Sequence, residues 1–515
     1  MAGDYSKERH YSLGEGIYRV TPRNDPEFPR GAWWDLENCL YVQDSDNPEV
    51  MRGSTRIGST DMGGAVSGFL DYNNGAKFVA CATDGKIYHY TGGDWAAESG
   101  VRASSNSTAS TTRWSTSMFY GATTVANLGI LCNGIDNPAK YDNTDVTDLA
   151  NAPTDGNFPT PWQGRMWFAA GDTLTYTATQ DCEGVGGVIV IARGNDGTIT
   201  GLKAFANNLF IFKRSSIYRI APTGTLTELS IVRNESNEYG CTEHNTIKEA
   251  GYEGGTSLTF LSESGIMRIS QAGGYSGFTI EPVDKWVRPL ISLRNKDSDG
   301  TAFAVWNGER REYYLHYPAG GGVTTPNAAL VGNYARKRRP PRWTRLSLGA
   351  ITMGTIFKEG NTDYLQYVGD DQGRVHQLHV ATEHTLDGAQ ISGNMTTPYY
   401  VQGAPEAMKI YGYAFVDGES EGSYEITTRL QMLRAGLPSA ASNSTAITFA
   451  TGKAGWGEGE WGVAPWGGGG SRGRRIRPRY VRRASGMGIR TEASRWYRWN
   501  GHVIASDRRG DLIEA

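Results

Sequence analysis

The sequence predicts an all-β protein: a β-propeller of about six or seven blades, with an appended C-terminal β-sandwich-like domain and an extended N-terminal arm. Three observations carry this expectation. A paired-strand pattern recurs along most of the chain, its spacing suits four short strands per repeat, and the composition favours strands and tight turns. Glycine supplies 67 of the 515 residues, beside 14 Trp and 27 Tyr, while helix formers are thin.

The pattern appears in "AKFVACATDGKIYHY" (76–90), "LGILCNGIDNPAKYDN" (128–143), "GRMWFAAGDTLTYTA" (164–178), "NNLFIFKRSSIYRIA" (207–221), "TSLTFLSESGIMRIS" (256–270) and "DYLQYVGDDQGRVHQL" (363–378). Each has an apolar run, then a turn of Gly, Asp, Asn or Ser, then a second run with β-branched or aromatic residues at alternate positions. Such turns accept positive φ or let a short side chain bond its own backbone, so they join antiparallel neighbours. A less regular "GERREYYLHYP" (308–318) fits between the last two. Taking Tyr88, Tyr141, Tyr176, Tyr218, Met267, Tyr314 and Val375 as equivalent gives a mean interval of about 48 residues, the length of a four-stranded blade. The intervals scatter and no WD or kelch signature fixes the register, which leaves an irregular pair of β-sandwiches as the rival architecture. Asn133, Asp136, Asn137, Asp142 and Asn143 fall where the sister hairpins turn, so they read as turn residues rather than metal or sugar ligands.

The domain boundaries follow from texture. Residues 1–35, with Pro22, Pro26 and Pro29 and no period, read as an arm wrapping another surface or subunit. The hairpins occupy 36–390. From 391 to 515 a second β domain is expected, with strands such as "KIYGYAFV" and "YEITTRLQMLR" and the loop "GWGEGEWGVAPWGGGG". The polar start has no apolar signal core, and no run of 18 apolar residues occurs, so the expectation is a chain made in a cytoplasm without a membrane span.

Composition and motifs narrow the chemistry. Lys and Arg number 51 against 54 Asp and Glu, a net charge of −3, so no global field draws the chain to nucleic acid or anionic lipid. Five cysteines, Cys39, Cys81, Cys132, Cys182 and Cys241, lie far from any C-x-x-C spacing and read as reduced, half-buried strand residues. No nucleophile elbow, phosphate loop, H-E-x-x-H or calcium loop occurs. His376, His379 and His384 form the one histidine cluster, but strand positions three apart point to opposite faces. Asp84, Asp136, Asp172 and Glu263 recur at hairpin turns; a glycosidase would need two such carboxylates about a cleft, and the turn reading is preferred. No catalytic residue, metal ligand or cofactor is therefore expected.

Two basic runs and a tryptophan series remain. "ARKRRPPRWTR" holds Arg336, Lys337, Arg338, Arg339, Arg342 and Arg345. "SRGRRIRPRYVRR" holds Arg472, Arg474, Arg475, Arg477, Arg479, Arg482 and Arg483. Proline keeps both extended. Phosphate contact is one use; a subunit or connector interface is the preferred one, with guanidinium groups pairing carboxylates. Trp456, Trp461 and Trp466, spaced by five among glycines, read as interface anchors, with carbohydrate stacking as the alternative.

With arm, hairpins and tail in view, the chain resembles the tail proteins of short-tailed bacteriophages, the nozzle or tail-tube component below the portal and adaptor. The residues that carry this are "RGAWWDLENCLYVQDSDNPEVMRGSTRIG" (30–58), "ILCNGIDNPAKYD", "NNLFIFKRSSIYRI" and "WGEGEWG". The resemblance implies a virion protein, not an enzyme. It implies six copies around a channel that retains packaged double-stranded DNA and conducts its ejection, docked to portal and adaptor above and to fibres or spikes alongside. A propeller-fold glycan-binding protein or polysaccharide-degrading enzyme is the other reading.

Overall fold

The computed structural model describes the chain apart from residues 1–5, 11–12, 26, 43–44, 108–112, 122–126, 192–196, 223–231, 253–254, 272–276, 337–339, 360–362, 401–408, 421–423, 435–436, 439–443, 450–473, 477–482, 496 and 508–515. The fold is all-β, built largely of small four-stranded antiparallel groups. Sheet I comprises Val66–Tyr72, Lys77–Ala82, Ile87–Tyr90 and Trp95–Ala97. Sheet II comprises Ser115–Phe119, Leu128–Cys132, Ala139–Tyr141 and Val146–Asp148. Sheet III runs from Asn157–Trp162 through Arg165–Ala170 and Thr173–Tyr176 to Gly187–Val190, and sheet IV from Ile199–Phe205 through Asn208–Lys213 and Ile217–Ile220 to Val232–Ser236. Sheet V holds Lys248–Tyr252, Gly255–Ser262, Gly265–Gln271 and Phe278–Pro282. The four strands Phe303–Asn307, Glu312–Tyr317, Ala328–Asn333 and Arg342–Leu346 make group VI. Sheet VII takes Ile351–Glu359, Asp363–Asp370 and Val375–Val380, and its fourth strand is Gly53–Ile57 from the other end of the array.

The turns are built from the residues the sequence singled out. Asn133 Oδ1 accepts the backbone N–H of Asp136 at 2.9 Å, and Asn133 Nδ2 donates to Asp136 Oδ2 at 2.8 Å. Asp84 Oδ1 accepts the Lys86 N–H at 3.0 Å. Gln163 and Gly164, at φ 52° and 67°, close the hairpin between the first two strands of sheet III, the paired positive φ that matches strand twist.

Packing explains why several second strands carry consecutive rather than alternate apolar residues. Successive side chains on a strand point to opposite faces, and here both faces are covered. In Asn208–Lys213, Leu209 and Ile211 enter a cluster with Trp167 and Leu174 of sheet III. Phe210 and Phe212 enter one with Leu258 and Phe260 of sheet V. Leu131 likewise joins sheet I while Ile130 and Cys132 join sheet III. Sheet VII packs on sheet I through Phe357 and Phe78, whose rings stack at 4.5 Å. Each sheet is thus held between two others. First strands also lie against one another: Ile351–Glu359 touches Val66–Tyr72, which touches Ser115–Phe119, and so on to Ile199–Phe205. Sheet IV then meets the 3-10 turn His244–Thr246 that leads into sheet V.

Both chain ends build a second unit. Asp35–Glu37 pairs in parallel with Arg342–Leu346 of group VI and antiparallel with Gly393–Thr396. The ladder continues through Gly486–Ala493 to Tyr424–Arg434, so group VI is one end of a ten-stranded sheet. A second sheet joins Cys39–Tyr41, Pro48–Val50, Tyr497–Asp507 and Lys409–Ser420. Between them lie Trp33, Tyr411, Leu430, Ile489, Trp499 and Ile504, with the Trp33 and Trp499 rings edge to face at 5.2 Å.

Three expectations need correction. Residues 36–50, assigned to the hairpin unit, also join C-terminal strands: Asp35–Glu37 pairs with Gly393–Thr396 as well as with group VI, and Pro48–Val50 pairs with Tyr497–Asp507. The segment 1–35, read as an arm on another surface, is bound into its own chain: Ser6–His10 pairs with Tyr497–Asp507, and Ile17 bridges Trp33. The hairpin at 308–318 joins the first and second strands of group VI, whereas the other six join second and third; the shift arises because residues 318–327, between the second and third strands, are too long to read as a turn.

Candidate functional site

A cavity of about 270 Å³ opens where the first strands converge. Its wall takes Phe69 to Asp71 from sheet I, Thr116 to Met118 from sheet II and Lys203 from sheet IV. His244, Asn245 and Lys248 come from the entry to sheet V, and Met353 to Thr355 from sheet VII. Convergence follows from the fold, since each first strand reaches this region beside the next.

Its electrostatics are lopsided. Lys203 and Lys248 are partly buried in the wall. Burial, and then the neighbouring Lys203 charge, pushes Lys248 down to about 8. Burial also lowers Lys203, against the pull of Glu249. His244 Nδ1 accepts the Leu202 N–H at 3.3 Å, which leaves the proton on Nε2. Burial and then the two lysines hold this ring well below its ordinary range, so it is neutral. Phe158 stacks on it at 4.7 Å. The nearby acids are engaged elsewhere. Asp71 Oδ1 accepts the Gly75 N–H at 2.6 Å, and Glu243, raised to about 7 by burial, faces Arg113. Arg113 Nη2 donates to the Thr301 carbonyl at 2.8 Å, and Nη1 to that of Thr352.

The first basic run lies elsewhere and faces its own chain. Arg342 is 1% exposed; its Nη1 donates to the Ser45 carbonyl at 2.8 Å and its Nη2 to Asn333 Oδ1 at 2.9 Å, with the guanidinium 4.2 Å from the Tyr41 ring centroid. Arg336 pairs with Glu15 at 2.8 Å and with Asp46. Arg345 holds Asp35 at 2.7 Å and Glu37 at 2.9 Å. These three were expected at a subunit or connector interface. Within the chain they form ion pairs between group VI and carboxylates of residues 15–46, Arg342 with Asp46 at 3.3 Å. Lys337, Arg338 and Arg339 lie outside the described residues, as do Trp456, Trp461, Trp466, Arg472, Arg477, Arg479 and Arg482. Arg474, Arg475 and Arg483 sit on short strands beside Lys409–Ser420.

The turn acids are spent locally. Asp136 accepts from the Ser107 N–H at 2.7 Å and hydroxyl at 2.6 Å, and Glu263 pairs with Arg214. The three histidines do not converge either. His376 Nε2 lies 3.3 Å from Asp370, whereas His379, at φ 62° in a strand irregularity, approaches the Tyr314 hydroxyl at 3.0 Å. Among the described residues one carboxylate–histidine group, Asp370, His376 and Asp387, is close-set, but Arg374 already holds Asp387 at 3.1 Å. All five cysteines are fully buried and free; Cys182 and Cys241 lie outside the strands expected of them. The cavity itself escaped sequence reading. Lys203 and Lys248 are 45 residues apart in unremarkable strands, and only their place in the repeat, on first strands, signals that they meet.

No protein-family profile matches the sequence, and no curated protein matches it. Solved structures do. The extracellular domain of a putative hybrid two-component system of B. thetaiotaomicron aligns with TM-score 0.41 at 12% identity, covering 78% of this chain and 48% of that one. PorZ, a bacterial surface component of the type-IX secretion system of Porphyromonas gingivalis, aligns with TM-score 0.36 at 11% identity, over 77% of this chain and 46% of that one. The computationally designed Ika8 protein aligns with TM-score 0.33 at 11% identity, over 67% of this chain and 96% of that one. The chain spans about half the length of the two natural structures.

Proposed function

We propose that the seven four-stranded groups are the blades of a β-propeller, and that the chain is a structural component of a short-tailed bacteriophage tail. In this reading it is the nozzle or tail-tube subunit, six copies forming a ring below portal and adaptor that retains packaged DNA and conducts it outward. Support for the propeller comes from the seventh sheet, which draws its fourth strand, Gly53–Ile57, from the opposite end of the array. Such a strand ties first blade to last without a covalent link.

The observation that carries the structural role is the ten-stranded ladder from group VI through Asp35–Glu37 into the second unit. Load between the two units passes through backbone hydrogen bonds and the ion pairs of Arg342 and Arg345, not through a linker. A wall that holds against packaged DNA needs that stiffness. A net charge of −3 suits a conduit, since a strongly basic lumen would grip the duplex through counterion release. Docking to neighbours then falls to the tryptophan loop and to Arg472 through Arg483.

Immunogold labelling of intact virions tests this. Gold at the tail, together with DNA-filled heads that lack the distal tail and leak when the chain is missing, is the expected outcome. Virions that carry no label and remain infectious without the chain would contradict it.

A further inference from the structure

The cavity among the first strands gathers two lysines, a histidine and a serine, with Asp71 and Asn245 also in its wall. Lys203 and Lys248 reach it from adjacent sheets, each within the other's electrostatic range. His244 presents its Nε2 proton because Nδ1 is already an acceptor for Leu202. Ser117 adds a hydroxyl to the wall. Each charged group packed around the site is accounted for. Asp71 is bound to Gly75 and faces Lys358 rather than the two lysines. Glu243 answers Arg113, and Glu249, which attracts Lys203, is itself exposed. Two ammonium groups lining one cavity repel each other, and burial costs them hydration.

We propose that this cavity is a binding site for a small anion, a phosphate or carboxylate group held between Lys203 and Lys248, with His244 Nε2 and Ser117 Oγ as further donors. The size excludes a nucleic acid duplex, whose major groove alone is about 12 Å wide, and suits a compact ligand. A dianion neutralises both lysines. Binding therefore raises the proton affinity of Lys248, which in the free protein is pushed down to about 8. Affinity is then strongest near neutral pH and falls as pH rises through that value.

The test compares inorganic phosphate, sulfate and succinate against chloride of equal ionic strength, by calorimetry and thermal unfolding of the full chain. Phosphate is expected to raise the melting temperature beyond chloride, as a ligand of the folded state must, and its affinity is expected to drop several-fold from about pH 7 to about pH 9.5. If succinate binds and phosphate and sulfate do not, the group recognised is a carboxylate; the reverse identifies a tetrahedral anion. The variants K203M and K248M should each weaken binding about tenfold or more, while in chloride they melt no lower than the wild type because a confined charge has been removed. A direct readout needs no variant: phosphate should protect Lys203 and Lys248 from acetylation by acetic anhydride, measured by peptide mass spectrometry. Equal effects of phosphate, sulfate, succinate and chloride, or an undiminished response to the binding anion in the double variant K203M/K248M, would overturn the proposal.

Discussion

Arg342 shows how far a single residue's role can shift between sequence and structure. As one of six cations in a run it looked like a surface for another molecule; buried over Tyr41 and bonded to Ser45 and Asn333, it is a rivet within the chain. Replacing it by methionine should cost about 2 kcal/mol, since Asn333 loses a partner inside the protein, and chemical denaturation of the purified chain measures this without any assembly partner. Glu243 makes a second prediction. Its folded pKa is raised, by burial first, to about 7 against an ordinary 4.5. A raised acid contributes stability that is present below its unfolded value and lost as pH climbs through its folded one. The variant E243Q should therefore lose less stability than the wild type between about pH 4.5 and about pH 7; parallel profiles would show that Glu243 titrates normally. Residue identities in turns were legible, Asn133 and Asp136 above all, because a turn is decided locally. Long-range partners such as Glu15 for Arg336 were not, because 321 positions separate them.

At the level of elements the strands could be read and their partners only in part. Hairpins declare themselves through turn chemistry, so Cys81, Cys132, Phe210, Phe212 and Phe260 were placed on strands and are buried there. What the pattern hid was that alternate residues of one strand serve different neighbours. Phe210 belongs to the cluster shared with sheet V, so F210A should destabilise by about 3–5 kcal/mol, measured by thermal unfolding. The strand Gly53–Ile57 was unassignable from sequence, since its partner lies at the far end of the array and a short "GSTRI" has no period of its own. Thr55 and Gln377 are Cα partners there, and directly opposed strand positions suit a disulfide. In a T55C/Q377C chain oxidation should form an intramolecular bond enclosing roughly 320 residues and stabilise by up to about 5 kcal/mol. Failure to form the bond while the chain stays folded would mean these strands are not neighbours.

Across the whole molecule, composition and repeat length pointed to an all-β chain of small sheets, but the division into arm, core and tail did not survive as drawn. Both ends share one second unit because Asp35–Glu37 and Pro48–Val50 each find a ladder partner after residue 390, a pairing that no local signal encodes. That arrangement leaves the N-terminal segment committed within its own chain, so any ring must be held by other surfaces. Light scattering coupled to size-exclusion chromatography reads this most directly, for the purified chain alone and for the chain mixed with the portal and adaptor of its own virus. The tail assignment expects a ring near six times the 56.1 kDa of one chain, formed alone or on that connector. A chain that stays at 56.1 kDa in both samples would contradict it.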